Sequence, residues 1–355
     1  MTTTPPGSVL HCVARALLDP DDVVRAVEPA IADFQRSPGD PALGWQLRIV
    51  ALIVLIIARR RLERFVATPW LRLVPAMAAV VLGAWAFRDE APSPAFAAQQ
   101  VGFLAFGALV AVAAGTTRPS RVSRLDLAIA IAIVGLVLVV ALGDPTMGVR
   151  RWLPVLGWNL QITLVVWPLY VAAITSLLAR RAAAAMAMAI ALVCLALLIV
   201  VRDVQASLAW GVATAIAVAT SRLAARWRIP LIVAIAATIA LALIRAPSMP
   251  ALAHVEGVLA LVASRGALAV ALATACAVLV AATPFAIARR TAGRAPRGAA
   301  LAIGGTLVAL VASPAILPNE PVVLFGYGGS GIIGVFLALG IALSIGRDSA
   351  RPMTT

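Results

Sequence analysis

The chain has 355 residues, of which 62% are hydrophobic and only 12% are charged, and its mean hydropathy is +1.01. Soluble domains average about 45–50% apolar and about 25% charged residues, so this composition excludes an ordinary soluble globular protein. The formal net charge of +14 comes from arginine, because all 29 basic residues are arginines. They lie in short clusters between long apolar runs, as in the connections of a membrane protein. We therefore predict an all-α polytopic membrane protein that binds membrane lipid and no nucleic acid.

The N-terminal segment, residues 1–47, is the longest polar stretch. Apolar residues recur in it at helical spacing, including Val24, Val27, Ile31 and Phe34, which predicts one or two short soluble helices on the cytoplasmic side. In the next segment, 48–69, the apolar run is about half of the roughly 20 residues that a span requires. We predict an interfacial helix followed by a basic loop. The alternative is a crossing by residues 42–58, which would move the N-terminal segment to the outside.

The membrane domain is predicted over residues 70–347, followed by a short cytoplasmic tail, 348–355. Apolar runs of about the length that a bilayer requires recur along it. They predict ten transmembrane helices, at about 70–87, 96–116, 125–143, 159–178, 182–201, 204–220, 229–245, 267–288, 298–313 and 330–346.

Arginine placement predicts the orientation of these spans. Most arginines fall in the connections that an alternating topology places on one side, and positive connections face the cytoplasm. This rule places the C-terminus in the cytoplasm, and the four longest connections that it places outside are 88–95, 144–158, 246–266 and 314–329. Any chemistry at the outer face must use polar side chains in those four connections.

The outer connection before the fourth span carries Arg150, Arg151 and Trp152, and leads to Gln161 at the head of the span. Paired guanidinium groups bind phosphate bidentately, while an indole anchors a loop at headgroup depth. The alternative is a simple interfacial anchor without a ligand.

Two carboxylates are further candidates for function. Asp203 follows Arg202 at the outer mouth of a tight pair of spans, where a carboxylate is a functional candidate or caps a helix. Glu256 follows His254 shortly before the eighth span. It is suited to act as a general base if its surroundings raise its pKa, or it is an ordinary carboxylate at a helix N-terminus.

A glycine-rich run, 326–331, precedes the last span and contains Tyr327, Gly328, Gly329 and Ser330. Glycine permits a non-helical turn and close backbone approach. At membrane depth such a turn requires that protein or water satisfy its backbone groups. We predict a functional turn here, not a simple continuation of the helix.

These motifs resemble those of the SEDS family, the shape, elongation, division and sporulation proteins. The C-terminal run resembles the family pattern P-F-x-S-Y-G-G-S-S, with Gly326 and Gly331 where serine is usual. The outer connection resembles G-A-R-R-W-I-x-L-G-x-x-x-x-Q, through Arg150 to Trp152 and Gln161. The stretch Ala98-Gln99-Gln100 resembles the family's R-Q at its second span, Asp203 falls on a further family position, and the resemblance covers about 70–347. It implies a SEDS-type bundle of ten spans in a bacterial cytoplasmic membrane.

The resemblance implies peptidoglycan glycosyltransfer, the polymerisation of lipid II at the outer face with a class B penicillin-binding protein as partner. Glu256 occupies the position of the family's catalytic aspartate, in His254-Val255-Glu256-Gly257, and is its candidate general base. Asp203 is a supporting carboxylate. The candidate substrate-binding residues are Arg150, Arg151, Trp152, Gln161, His254, Tyr327, Gly328, Gly329 and Ser330. We predict no cofactor, and the three cysteines have no metal-binding spacing.

Several departures from the family patterns leave the activity open. The family's P-S-E-x-x-K becomes the apolar stretch 162–167, and its G-E-E becomes Ala263-Ser264-Arg265. The alternatives are a non-catalytic paralogue that binds a lipid-linked precursor or scaffolds a division or elongation complex, and a transporter of such a precursor.

Overall fold

The computed structural model divides the chain into two compact units, Met1–Thr68 and Pro69–Thr355. The described residues are 11, 14–15, 23–36, 50, 70–89, 94–116, 122–143, 152–155, 158–244, 257–316, 322–326 and 328–349. The predicted interfacial helix and the tail 350–355 lie outside this part of the chain.

The first unit contains a π-helical turn, Val23–Val27, and a helix, α1, Glu28–Arg36. Val23, Val27 and Ile31 are buried, at the i, i+4 spacing of one helix face. The predicted short helix is therefore present. The sequence pattern placed Val24 on the buried face, but Val24 is 57% exposed and Val23 is buried in its place. The turn of π-helix at Val23–Val27 changes which residues face inward, because it has more residues per turn than an α-helix.

The second unit consists of helices with one small hairpin. Α 3₁₀ turn, Trp70–Leu73, leads into the first helix. The helices are α2 (Val74–Phe87), α3 (Pro94–Thr116), α4 (Val122–Leu142), α5 (Ile162–Leu178), α6 (Ala184–Val201), α7 (Val204–Thr220), α8 (Ala225–Ile244), α9 (Val258–Ser264), α10 (Ala267–Arg290), α11 (Arg294–Ile316) and α12 (Gly329–Ser349).

Each of the ten predicted spans corresponds to one of these helices, and α9 is the additional one. Among the described residues, six helices are long and apolar enough to cross a membrane, and four shorter apolar helices lie among them. Two of the shorter helices, α5 and α7, have 17 residues, which corresponds to about 25 Å. The prediction of a polytopic α-helical bundle is confirmed.

The structure differs from the predicted spans at two places. The fourth span begins at Ile162, because the residues before it form a hairpin of β1, Leu153–Val155, and β2, Trp158–Leu160, with Val155 opposite Trp158. Strand pairing satisfies backbone groups that a helix start would leave open. The predicted outer connection before the eighth span contains α9, and Gly266, at φ 103°, separates α9 from α10. A positive φ is available to glycine at little cost.

Helix α12 lies in the interior of the bundle, and packs against α3, α5, α10 and α11. Its close approach to α5 depends on Gly334, since a Cβ atom there would overlap the carbonyl oxygen of Leu164. Small residues at helix interfaces bring backbones together in membrane proteins, where packing supplies much of the association energy. Gly334 therefore allows α12 to lie directly against α5, the helix that follows the hairpin.

Candidate functional site

The tight turn between α6 and α7 places a carboxylate inside the bundle. Arg202 adopts a left-handed conformation, φ 59°, and its backbone N–H donates to the carbonyl of Leu198 to end α6. Asp203 follows in an extended conformation as the N-cap of α7, and its Oδ1 accepts from the backbone N–H of Ala206 at 3.1 Å. This satisfies one of the open donors of the helix start. The side chain of Asp203 is fully buried.

The second oxygen of this carboxylate joins α7 to the residues around the start of α5. The amide Nε2 of Gln161 donates to Asp203 Oδ2 at 2.5 Å, and the hydroxyl of Thr163 donates to the same oxygen at 3.4 Å. The backbone carbonyl of Asp203 accepts from both the N–H and the hydroxyl of Ser207. A buried side chain whose oxygens accept from several donors is fully satisfied within the protein, so Asp203 fixes its neighbours in place.

The same site extends to α12. The backbone N–H of Gln161 donates to the hydroxyl of Ser330 at 2.7 Å, and both residues are buried. Gln161 thus links the end of the hairpin, the α6–α7 turn and the start of α12. The polar cluster, as we call it, consists of Gln161, Thr163, Asp203, Ser207 and Ser330.

Polar contacts continue from the cluster along the α5–α7 interface. The indole of Trp210 donates to the carbonyl of Thr163 at 3.1 Å. The hydroxyls of Tyr170 and Thr214 lie 2.7 Å apart, and the Tyr170 ring stacks on Trp210. The sequence carried a signal for this interface, because positions 203, 207, 210 and 214 fall on one helix face. The amino-acid sequence alone does not show that this face of α7 packs against α5.

The glycine-rich run leads out of a buried turn, Val322–Gly326, between α11 and α12. The five residues of this turn are buried, and Leu324 has a φ of 78°. This left-handed backbone conformation is costly for a residue that has a Cβ atom. The backbone N–H of Gly326 donates to Val322, and the side-chain amide of Gln100 donates to the carbonyl of Gly326 at 3.1 Å. Protein groups therefore satisfy both the N–H and the carbonyl of Gly326, where the glycine-rich run begins.

The structure brings together Gln161, Asp203 and Ser330 of the predicted site residues. Trp152 is half-buried next to the hairpin, and Gly328 is half-buried at the entry to α12. Gly329 is buried, and a Cβ atom there would overlap the ring of Phe103, so its small size serves packing. Outside the described residues lie Arg150, Arg151, His254, Glu256 and Tyr327.

Asp203 caps α7, which is one of its two predicted alternatives, and it also accepts hydrogen bonds from Gln161 and Thr163. Thr163 and Ser207 were missed by the sequence analysis, because isolated Thr and Ser residues are common in spans. The described part of the chain contains no group of three or more His, Cys, Asp or Glu side chains that would hold a metal ion.

A second polar contact fixes the short helix that follows Glu256 in the chain. Arg265, at the end of α9, donates to the carboxylate of Asp89 at 2.7 Å and to the carbonyl of Ala86 at 3.1 Å. Its guanidinium also lies 5.3 Å from the ring centre of Trp85. The hydrogen bond and charge of Arg265, aided by Arg88, lower the pKa of Asp89 below its ordinary value. Arg265 thus attaches α9 to α2.

The apolar helices and their internal polar cluster define a polytopic α-helical membrane protein. The bundle has the fold of the rod shape determining protein RodA of Thermus thermophilus, with 22% sequence identity, a TM-score of 0.65, and coverage of 81% of this chain and all of that one. An Asp-to-Ala variant of that protein gives the same TM-score and covers 99% of its own chain.

The chain is similar to a third solved structure, described as the structural coordination of polymerisation and crosslinking by a peptidoglycan synthase complex. There the TM-score is 0.63 and the identity 22%, over 81% of this chain and 99% of that chain. No family model and no curated protein matches the sequence. The structural likeness establishes the fold, which is the fold that the C-terminal and outer motifs predicted.

Proposed function

We propose that this protein is a SEDS-type glycosyltransferase of bacterial cell-wall synthesis, which polymerises lipid II at the outer face of the cytoplasmic membrane. The observation that carries this proposal is the polar cluster. Gln161, Asp203 and Ser330 come from three separate motifs of the sequence, and they meet inside a RodA-like bundle. A bundle that served only to span the membrane would need no such convergence, because buried polar residues in spans are costly.

The proposed reaction needs a base on the acceptor side and positive charge on the donor side. Glu256 takes the proton of the acceptor sugar hydroxyl as its oxygen attacks the anomeric carbon of the donor. The new glycosidic C–O bond forms while the C–O bond to the lipid diphosphate breaks. Arg150 and Arg151 bind the diphosphate bidentately and stabilise its charge as it leaves. His254 and Tyr327 belong to the same outer surface in this proposal.

The described residues contribute positioning. Asp203 is fully buried, so it acts through Gln161 and the hairpin, which follow the segment that carries Arg150 and Arg151. Arg265 attaches α9 to α2, and α9 begins two residues after Glu256. Effective proton transfer depends on such fixed geometry, since small displacements of a catalytic group are costly.

The orientation belongs to the proposal. The arginine clusters between α5 and α6, α7 and α8, and α10 and α11 lie on the cytoplasmic side by the positive-inside rule. The polar cluster and α9 then lie toward the outer side, and the C-terminus is cytoplasmic. A class B penicillin-binding protein is the proposed partner. Similarity to a structure whose description names polymerisation and crosslinking in one complex supports this choice.

The test is polymerisation of labelled lipid II by the purified full chain in detergent, with and without a class B partner. We expect the wild type to form polymer, and we expect Glu256→Gln to reduce the rate by about 10²-fold or more, as loss of a general base does. Glu256→Asp is the matched control, because it keeps the carboxylate, and it retains measurable activity. Unchanged polymer formation by Glu256→Gln would refute the role of this residue.

A non-catalytic paralogue is the second candidate, and one observation favours it. Where the family pattern has an acid and a base, Thr163, Leu164, Val166 and Trp167 are buried against neighbouring helices. These side chains pack and do not offer charge to a substrate. In this case no version of the protein forms polymer, while the wild type still retains lipid II in a pull-down.

A further inference from the structure

A cavity of about 670 Å³ lies at the end of the bundle opposite the polar cluster. It is open to the outside of the bundle, and it is lined by the end of α7, the start of α8, the connection that follows α10 and the start of α11. Its volume is within the range of about 300–1,000 Å³ that is typical of small-molecule sites. The lining residues are Ala219, Thr220, Ser221, Arg228, Thr291, Ala292, Gly293, Arg294, Arg297, Gly298 and Leu301. We call it the arginine cavity.

The charge of the arginine cavity is positive. Arg228, Arg294 and Arg297 line it, and none of the described lining residues is acidic. Arg228 donates from Nε to the carbonyl of Leu223 at 2.7 Å and from Nη2 to that of Ser221 at 3.0 Å, so it stabilises the wall. Arg294 and Arg297 are exposed. One helical turn separates them, and together they suit bidentate binding of one phosphate group.

The hydroxyl groups of the cavity add a second chemical preference. Thr220 donates its hydroxyl hydrogen to Ile216 or Ala217, Ser221 to Val218, and Thr291 to Ile287. With their hydrogens used inside the protein, the oxygens of Thr220 and Thr291 offer lone pairs to the cavity. They therefore accept hydrogen bonds from hydroxyl groups of a ligand.

We propose that the arginine cavity binds a phosphate ester that carries free hydroxyl groups, of the glycerol phosphate type. Arg294 and Arg297 bind the phosphate, and Thr220 and Thr291 accept from the hydroxyls. The ligand is either the headgroup of an anionic lipid such as phosphatidylglycerol or a soluble glycerol phosphate. This site is separate from the polar cluster, because Asp203 and Thr220 lie at opposite ends of α7, about 25 Å apart. Its test does not depend on the proposed glycosyltransfer.

The experiment measures binding to the purified full chain in a neutral detergent. Phosphatidylglycerol and phosphatidylcholine are titrated separately and counted by native mass spectrometry, and glycerol 3-phosphate and inorganic phosphate are added as competitors. The double variant Arg294→Gln/Arg297→Gln removes the phosphate ligands. Its matched control is Arg289→Gln/Arg290→Gln, which removes the same charge from exposed residues at the same end, outside the cavity lining.

The wild type is expected to bind phosphatidylglycerol and not phosphatidylcholine. The cavity variant should lose about tenfold in affinity for phosphatidylglycerol. The control variant should lose less than about threefold, because its arginines interact with the ligand only through long-range electrostatics, which salt screens. Competition by glycerol 3-phosphate identifies a soluble ester as a ligand, and its absence identifies the lipid headgroup. Equal losses in the two double variants would overturn the proposal, as would the combined absence of a preference for phosphatidylglycerol over phosphatidylcholine and of any binding of glycerol 3-phosphate.

A second pair of variants keeps the test decisive if the arginine variant does not fold. Ala292→Glu places a carboxylate in the cavity, whereas Ala224→Glu places one on an exposed connection at the same end, outside the lining. Ala292→Glu should lower binding by about tenfold through repulsion of the phosphate, and Ala224→Glu should lower it far less. Equal effects of both substitutions would contradict a defined site.

Discussion

The two ends of α7 handle charge in opposite ways. At its start, the carboxylate of Asp203 is fully buried and accepts from Gln161, Thr163 and Ala206. At its end, Arg294 and Arg297 are exposed around an open cavity whose described lining has no acidic residue. A buried carboxyl group must be satisfied by the protein itself, whereas an exposed guanidinium group next to a cavity is available to a ligand. The start of α7 therefore holds neighbouring helices in position, and the end of α7 borders the proposed ligand site.

The largest effect on stability is expected at the buried end. Asp203→Ala leaves the donors of Gln161 and Ala206 buried without their acceptor, which costs about 3 kcal/mol in the free energy of unfolding. Asp203→Asn keeps the cap and an acceptor oxygen, so its cost is about 1 kcal/mol. Thermal unfolding in detergent measures both. Equal stability of the wild type and Asp203→Ala would remove the central role of the polar cluster.

A smaller loss is expected where α12 approaches α5. Gly334→Ala forces a Cβ atom against the carbonyl of Leu164, and overpacking of this kind costs about 2 kcal/mol. Gly102→Ala is the control within α3, because a Cβ atom there meets nothing within 4 Å. The same unfolding assay should show a lower midpoint for Gly334→Ala alone. A similar midpoint for both variants would mean that α12 is free to move away from α5.

Stability should change little at the open end. In the absence of a ligand, Arg294→Gln/Arg297→Gln alters the free energy of unfolding by less than about 0.5 kcal/mol, because exposed charges contribute little to folding. Phosphatidylglycerol should raise the unfolding midpoint of the wild type and not of this variant. A strong destabilisation without ligand would show that these arginines hold the bundle together, and would break the contrast between the two ends.

The smallest effect concerns the exposed pair of Asp89 and Arg265. Arg265 lowers the pKa of Asp89 below its ordinary value of 3.8, so the pair stabilises the fold above that pH, and the contribution is lost as the pH falls through the lowered pKa. The difference in midpoint between the wild type and Arg265→Gln should therefore shrink below about pH 4. In an Asp89→Asn background the difference should not vary in this way. The indole contact of Arg265 with Trp85 contains no acidic group, so it does not contribute to this pH dependence.

Hydropathy predicted the ten helices because each span must be apolar along its own length, independently of its neighbours. Motif spacing also led to Gln161, Asp203 and Ser330, which meet in the structure. It did not predict their partners, since Thr163 and Ser207 are placed by the contact between α5 and α7. The hairpin was missed because Trp158-Asn159-Leu160 reads as the start of an apolar run, and only pairing with β1 separates it from α5.

The arginine cavity could not be predicted from the sequence, for a related reason. Its walls come from two connections that are about seventy residues apart in the chain, and the positive-inside rule already accounts for arginines in both. The sequence therefore predicts the sign of the charge at this end of the bundle. It does not predict a concave surface on which three of these arginines lie together.

The most direct test of the account separates lipid II binding from its polymerisation in one sample. Wild type should bind and polymerise lipid II, and Glu256→Gln should bind it within about twofold of the wild-type affinity but polymerise it about 10²-fold or more slowly, because a base acts on the rate of the reaction. Arg150→Gln/Arg151→Gln should lose binding by about tenfold or more. Failure of the wild type to bind lipid II, or polymerisation by Glu256→Gln at the wild-type rate, would contradict the account.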